Sequence, residues 1–145
     1  MTIGTDTRLS EEDPMNSLFP LILTDRLDSA AEFYRTVFGL EVVAELDWYV
    51  QLQHPDDDAI QIAFISSDHD SVPVSHRGAP CGVVVTIEVA DAAAVREVVQ
   101  AAGHQVVLEV RDEAWGQRHF MIEDPVGLLV DVVQQLESVS DAVVR

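Results

Sequence analysis

The chain has 145 residues, 48% of them hydrophobic, which is enough for one domain or two fused small modules with a real core. Its net charge of −18 excludes nucleic acid and anionic membranes as partners, since both would be repelled, while it admits a cationic ligand. No apolar run approaches the roughly 18 residues of a membrane span, the opening MTIGTDTRLSEEDPMNS lacks an apolar signal core, and a lone cysteine, Cys81, permits no intrachain disulfide; together these lead to the expectation of a cytoplasmic protein.

Residues 1–16 read as a flexible N-terminal tail. A strand is expected over LFPLILT (18–24), followed by a helix whose apolar face repeats at Leu27, Ala30, Ala31, Tyr34, Val37 and Phe38 and which Gly39 closes. LEVVAEL, WYVQLQ and AIQIAFIS are three more strands, the last two separated by the turn HPDDD. SDHDSVPVSHRGAP, residues 67–80, is a polar linker. The order then repeats: GVVVTIEV as a strand, a helix striped with Val95, Val98, Val99 and Ala102 and closed by Gly103, and the strands HQVVLEV, GQRHFMIE and LLVDVVQ. Residues 137–145 read as a C-terminal tail. AAEFYRTVFGLEVVAEL lies over AAVREVVQAAGHQVVLEV with Val42 matched to Val106 and Glu45 to Glu109, so a βαβββ unit is used twice, at 17–66 and 81–136. The predicted fold class is α+β, two such modules whose curved mixed sheets surround a cleft.

Side chains alternate along a strand, so each strand has a helix side and a second face. Strict alternation puts Trp48, Val50, Leu52, Ile60, Ile62, Phe64, Val106, Leu108, Val110, Phe120 and Ile122 toward the helices. The second face then carries Tyr49, Gln51, Gln61, Thr86, Glu88, Glu109, Arg111, Trp115, His119, Met121 and Asp131. Tyr, Trp, Gln, His and a few acids suit the wall of a ligand cleft; a wet sheet face or a dimer interface is the plainer alternative. His119 and Asp131 stand on adjacent strands, either as an acid–base pair or as two polar groups that satisfy each other. Cys81, near a glycine and without basic neighbours, is expected to be a buried, inert thiol.

The pattern TDRLDSAAEFYRTVFGL followed by WGQRHFMIEDPVGLLVDVVQ resembles the glyoxalase / bleomycin resistance / extradiol dioxygenase family, the vicinal oxygen chelate superfamily, over about residues 17–136. The resemblance implies paired modules around an open cleft and, in the family's enzymes, a divalent metal held by His, Glu or Gln from the first and last strand of each module. At the corresponding positions this chain has Leu18 or Phe19, Gln61, Val84 and Asp131. One carboxylate and one amide fall short of the three or more donors such an ion needs, so no metal and no cofactor is expected.

The expectation is therefore a metal-free homodimer that binds a small molecule at the eleven positions named above. By the same resemblance it would sequester an aromatic or cationic natural product or antibiotic, as bleomycin resistance proteins do. The alternative is a metal-dependent lyase, isomerase or dioxygenase of the same superfamily with a non-standard site. A dimer whose cleft is filled by its own side chains is the third possibility.

Overall fold

The computed structural model describes residues 10–12 and 14–136; residues 1–9 and 13 of the expected tail at 1–16, and the whole of the one at 137–145, lie outside it. The elements run β1 (Leu21–Thr24), α1 (Leu27–Phe38), β2 (Glu41–Leu46), β3 (Tyr49–His54), β4 (Asp57–Ser66), a 3-10 turn at Val74–His76, β5 (Val84–Glu88), α2 (Ala92–Ala101), β6 (Val106–Glu113), β7 (Gln117–Glu123) and β8 (Leu129–Gln135). Two four-stranded mixed sheets result, ordered β1-β4-β3-β2 and β5-β8-β7-β6, each with one parallel pair, β1 with β4 and β5 with β8. The repeat inferred from sequence is thus a repeat of topology.

Local chemistry explains the boundaries. Gly39 ends α1 with φ of 73°, and its N–H donates to the Arg35 carbonyl at 3.1 Å while Leu40 N–H donates to that of Tyr34 at 3.2 Å. That left-handed conformation costs a side chain about 1 kcal/mol or more, which is why glycine stands there. Asp91 caps α2 by accepting from Ala94 N–H at 3.1 Å. The first strand begins at Leu21, three residues later than expected, because only Leu21–Thr24 pair with β4.

Helix α1 lies on β3 and β4, α2 lies on β6, β7 and β8, and the modules meet helix to helix. One continuous core joins them, from Phe33, Tyr34, Leu52 and Phe64 to Val99, Phe120, Ile122 and Val132, all buried. Each such side chain contributes roughly 1.5–3 kcal/mol by leaving water. Phe33 meets the His104 ring edge-on at 4.9 Å. Tyr34 Oη donates to Asp124 Oδ2 at 2.7 Å, and Arg26 Nη1 to the Pro125 carbonyl at 3.0 Å. Asp124 also accepts from Val126 N–H and Leu128 N–H at 3.0 and 2.8 Å, so the residue that shapes the Asp-Pro turn also ties that turn to the other module's helix.

Two strands depart from strict alternation. The β6–β7 register shifts between Val106 and Leu108 and again between Leu108 and Arg111. These bulges turn Leu108 opposite Met121, away from the core that Val106 and Val110 contact. The β2–β3 register shifts between Val42 and Ala44, the position equivalent to the first of these, so the repeat extends to the irregularity. Trp48, expected on the helix side, sits in the β2–β3 turn and stacks on His69 of the linker at 3.8 Å. The linker is tied down further by Arg77, which donates to the carbonyls of Val72 and His69. Cys81 is exposed, not buried.

Candidate functional site

Strand β1 covers β4 only from Ala63 onward, which leaves the edge of β4 at Ile60–Ile62 unpaired on that side. The edge of β5 away from β8 is likewise unpaired within its sheet. A cleft of ≈ 560 Å³ lies between these two edges, floored by Tyr34, Phe38 and Leu40 and walled by Val83–Val89. Its lining is mostly apolar, with Gln61, Thr86, Glu88 and His54 as polar points, and Glu88 is its one acid. Ile60, expected under the helix, is 49% exposed on this rim because β4 outruns its neighbour there. A larger hollow of ≈ 740 Å³ gathers Asp25, Asp28, Glu45, Asp47 and Arg26. That is a wet acidic rim, whereas ligand sites are mainly apolar walls with a few convergent polar groups, and the β4–β5 cleft fits that description better.

On the first module, Tyr49, Gln51 and Gln61 share the face away from α1. Tyr49 Oη donates to Gln51 Oε1 at 2.7 Å, Gln51 Nε2 donates to Gln61 Oε1, and Gln61 Nε2 donates to the Asp58 carbonyl at 2.7 Å. Burial pushes the Tyr49 phenol above its ordinary value, so the row is neutral. Its inner end, Gln61, enters the cleft.

On the second module, Asp131 lies between Thr86 on β5 and Met121 on β7, and His119 lies between Val133 and Arg111. The imidazole reaches diagonally both ways, with Nδ1 2.7 Å from Asp131 Oδ1 and Nε2 2.8 Å from Glu113 Oε2. Arg111 Nε donates to the same Glu113 oxygen at 2.6 Å. His119 is buried, and burial alone would depress its basicity; its hydrogen bonds to Glu113 and Asp131 outweigh that and raise it. The Glu113 carboxyl is held low, first by His119 and then by Arg111.

Among the expected ligand-contacting residues, the structure brings Gln61, Thr86 and Glu88 together in the cleft, with Tyr49 and Gln51 behind Gln61. Arg111, His119 and Asp131 form the charged row, with Met121 beside Asp131. His119 has both ring nitrogens engaged within the protein. Glu109 leaves the group: Arg96 of α2 grips it at 3.1 and 3.0 Å, because the β6 bulges swing it to the sheet edge. Trp115 stands half-exposed in the β6–β7 turn and donates to Gln117 at 2.8 Å, apart from the cleft. The sequence reading ended β6 at Arg111 and so missed Glu113, although continued alternation from Arg111 points to it. It also set His54 aside as a turn residue.

The residues at the family's four ligand positions do not fit a divalent metal. Leu18 and Phe19, the two candidates for the first position, carry no donor atom in their side chains. Gln61 is engaged at both amide atoms, Val84 offers no donor atom, and the Oδ1 of Asp131 is taken by His119. Among the described residues no three His, Cys, Asp or Glu side chains gather in a way that would hold an ion. No helix among them is long and apolar enough to cross a membrane.

Solved structures match this fold throughout. A glyoxalase / bleomycin resistance protein / dioxygenase from Nocardioides has a TM-score of 0.70 at 18% identity, over 96% of this chain and 93% of that one. Lactoylglutathione lyase from Agrobacterium tumefaciens gives 0.64 at 22% identity, over 84% and 96%. TioX from Micromonospora sp. ML1 gives 0.69 at 18%, over 84% and 100%. At such identities the likeness is one of fold. No match was found among curated proteins. A family model matches residues 17–132, and by that match the chain belongs to the Glyoxalase/Bleomycin resistance protein/Dioxygenase superfamily.

Proposed function

We propose that this chain is a metal-free small-molecule binding protein that sequesters an aromatic or cationic compound in the cleft between β4 and β5, in the manner of a bleomycin resistance protein. The observation that carries the reading is the cleft itself. It offers ≈ 560 Å³ of mostly apolar lining with Gln61, Thr86 and Glu88 as its polar points, at the place where the superfamily's ligand positions have become Gln61 and Val84. A volume of that order suits a drug-sized molecule. The Tyr49–Gln51–Gln61 row supplies amide donors and acceptors that can re-pair with a guest, and Glu88 supplies the charge for a cationic group.

We propose further that the protein works as a homodimer. Leu21, Ile60, Val83 and Val84 leave apolar surface exposed around the cleft and the strand edges, at 45%, 49%, 56% and 48% of their full areas. Apolar side chains clustered on an open edge are what a second subunit buries. Analytical ultracentrifugation reads the assembly directly, and a monomer at micromolar concentration contradicts it.

The test of the binding reading is a thermal-shift screen with flat aromatic and cationic antibiotics, and in parallel with Zn²⁺, Ni²⁺, Mn²⁺ and Fe²⁺. A ligand present at 100 times its Kd should stabilise the fold by about 2.7 kcal/mol. Strong stabilisation by a divalent metal, or one metal per chain on purification, would instead favour an enzyme of the superfamily.

A further inference from the structure

The two walls of the β4–β5 cleft are strand edges, and alternation along a strand settles which backbone groups each edge shows. On β5, Val89 N–H donates to the Val133 carbonyl of β8 at 2.8 Å, so Val85, Ile87 and Val89 turn their N–H and C=O toward β8. Val84, Thr86 and Glu88 turn theirs the other way, along the edge that no described strand pairs with. On β4, Ala63 N–H donates to the Pro20 carbonyl at 3.0 Å. Proline has no N–H to donate in return, so the β1–β4 ladder ends there. Gln61, two residues back on the same edge, has no partner on β1 for its own N–H and C=O.

Backbone donors and acceptors beside an apolar floor need partners, and an added strand supplies them in the right order. The shape of the cleft favours a bare chain. β5 faces β4 across it, so the edge strand of a second copy would carry its own sheet into β4, whereas a single extended chain carries nothing behind it. Pro20 and Val83 also border a second groove of ≈ 420 Å³, which lies between Leu21–Leu23 of β1 and Ser75–Pro80 of the linker. From that junction β5 runs to Glu88, roughly 17 Å at about 3.3 Å per residue, the length of about five extended residues. Side chains alternate along such a chain, one set over the floor of Tyr34, Phe38 and Leu40, the other toward Thr86 and Glu88. Glu88 is the one acid of the cleft and the whole chain carries −18, so a basic group belongs at that end.

We propose that the cleft takes a linear, peptide-like molecule in extended form, paired as an added strand with the backbone of Val84, Thr86 and Glu88 and with a basic group set against the Glu88 carboxylate. This rests on the small-molecule binding reading of the cleft and names the class of its ligand, a cationic oligoamide. Main-chain hydrogen bonds supply the affinity of such a complex, and the alternating side-chain positions supply its selectivity.

The full chain is screened by thermal shift against a library of acetylated, amidated pentapeptides containing one lysine, and in parallel against proflavine as a flat aromatic cation. At least one peptide is expected to stabilise the fold. N-methylation of every second amide of that peptide, in both phases, keeps its charge and side chains; in at least one phase it should weaken binding at least about tenfold by titration calorimetry. Glu88→Gln should weaken the lysine peptide and leave its norleucine counterpart unchanged. Amide exchange followed by NMR should slow at Val84, Thr86 and Glu88 in the complex, while Val85 and Ile87, already paired with β8, stay as they were. Binding that neither methylation pattern weakens overturns the inference. So does slow exchange at Thr86 and Glu88 in the free protein, which would mean that a second copy or the chain itself already fills the edge. Proflavine binding without any peptide binding overturns it and leaves the binding function standing; binding by neither overturns both.

Discussion

On the face turned away from its helix, the first module carries Tyr49, Gln51 and Gln61, neutral side chains hydrogen-bonded in a row, while the second carries Arg111, Glu113, His119 and Asp131, ionisable side chains hydrogen-bonded in a row. The backbones beneath are nearly the same, with four strands in one order and a bulge after the first residue or two of the second strand. The difference shows that a repeated βαβββ unit sets where side chains stand and leaves their chemistry free. Neutral amides exchange partners at small cost, so the first face can adapt to a guest. An ion row cannot be opened without leaving a charge desolvated and alone, so the second face is fixed.

The largest effect tests whether the modules are separable at all. Phe64→Ala and Phe120→Ala each remove a fully buried ring, one per module, and each should cost about 3–5 kcal/mol in urea unfolding. Both should unfold in a single transition, because one core runs through both modules; two transitions from either variant would mean that the modules fold independently. Next is the tie between them. Tyr34→Phe strips a buried hydrogen bond from Asp124 and should cost roughly 1–3 kcal/mol by the same assay. Burial holds the Asp124 carboxyl above its ordinary 3.8, with the Tyr34 bond opposing that rise. The protonated form is thus favoured in the fold, and its contribution is lost as pH rises through the raised value. Tyr34→Phe should move that loss to higher pH.

The adaptable face sharpens the comparison through binding. Gln61→Leu and Glu88→Gln should each weaken an identified cationic ligand about tenfold by titration calorimetry, whereas Glu109→Gln, on the far edge with Arg96, should leave affinity unchanged. The fixed face shows itself in pH. The Glu113 carboxyl is held low, so its contribution is present above its ordinary 4.5 and is lost as pH falls through the lowered value. His119 is held high, so its contribution is present below its ordinary 6.5 and is lost as pH rises through the raised value. A stability plateau bounded on both sides results, and His119→Gln should flatten its alkaline shoulder while variants of Gln51 leave it intact.

Much of this was legible in the residues. Apolar spacing marked both helices, Gly39 and Gly103 sat just past their ends, and the match of Val42 to Val106 disclosed the repeat. Alternation placed Tyr49, Gln51 and Gln61 on one face and His119 beside Asp131, as the sheets have them. The misreadings share a cause. Leu108 and Glu109 were assigned by alternation, and a bulge breaks alternation without a signature in residue type. Trp48 looked like core by parity and became a turn residue stacked on the linker. Glu113 was cut off by a strand end drawn two residues short.

The sequence alone determined the elements, their order, the doubling of the unit and the lack of donor atoms at Val84 and at Leu18 or Phe19, since these depend on local periodicity, turn chemistry and side-chain identity. Tertiary structure alone decided that β1 stops short along β4 and opens a cleft at Gln61, that Arg96 claims Glu109, and that His119 is gripped from both sides. Those outcomes depend on register and on distances between residues far apart in the chain. Free energy selects among them only once sheets and helices pack together, and no window of sequence contains that choice.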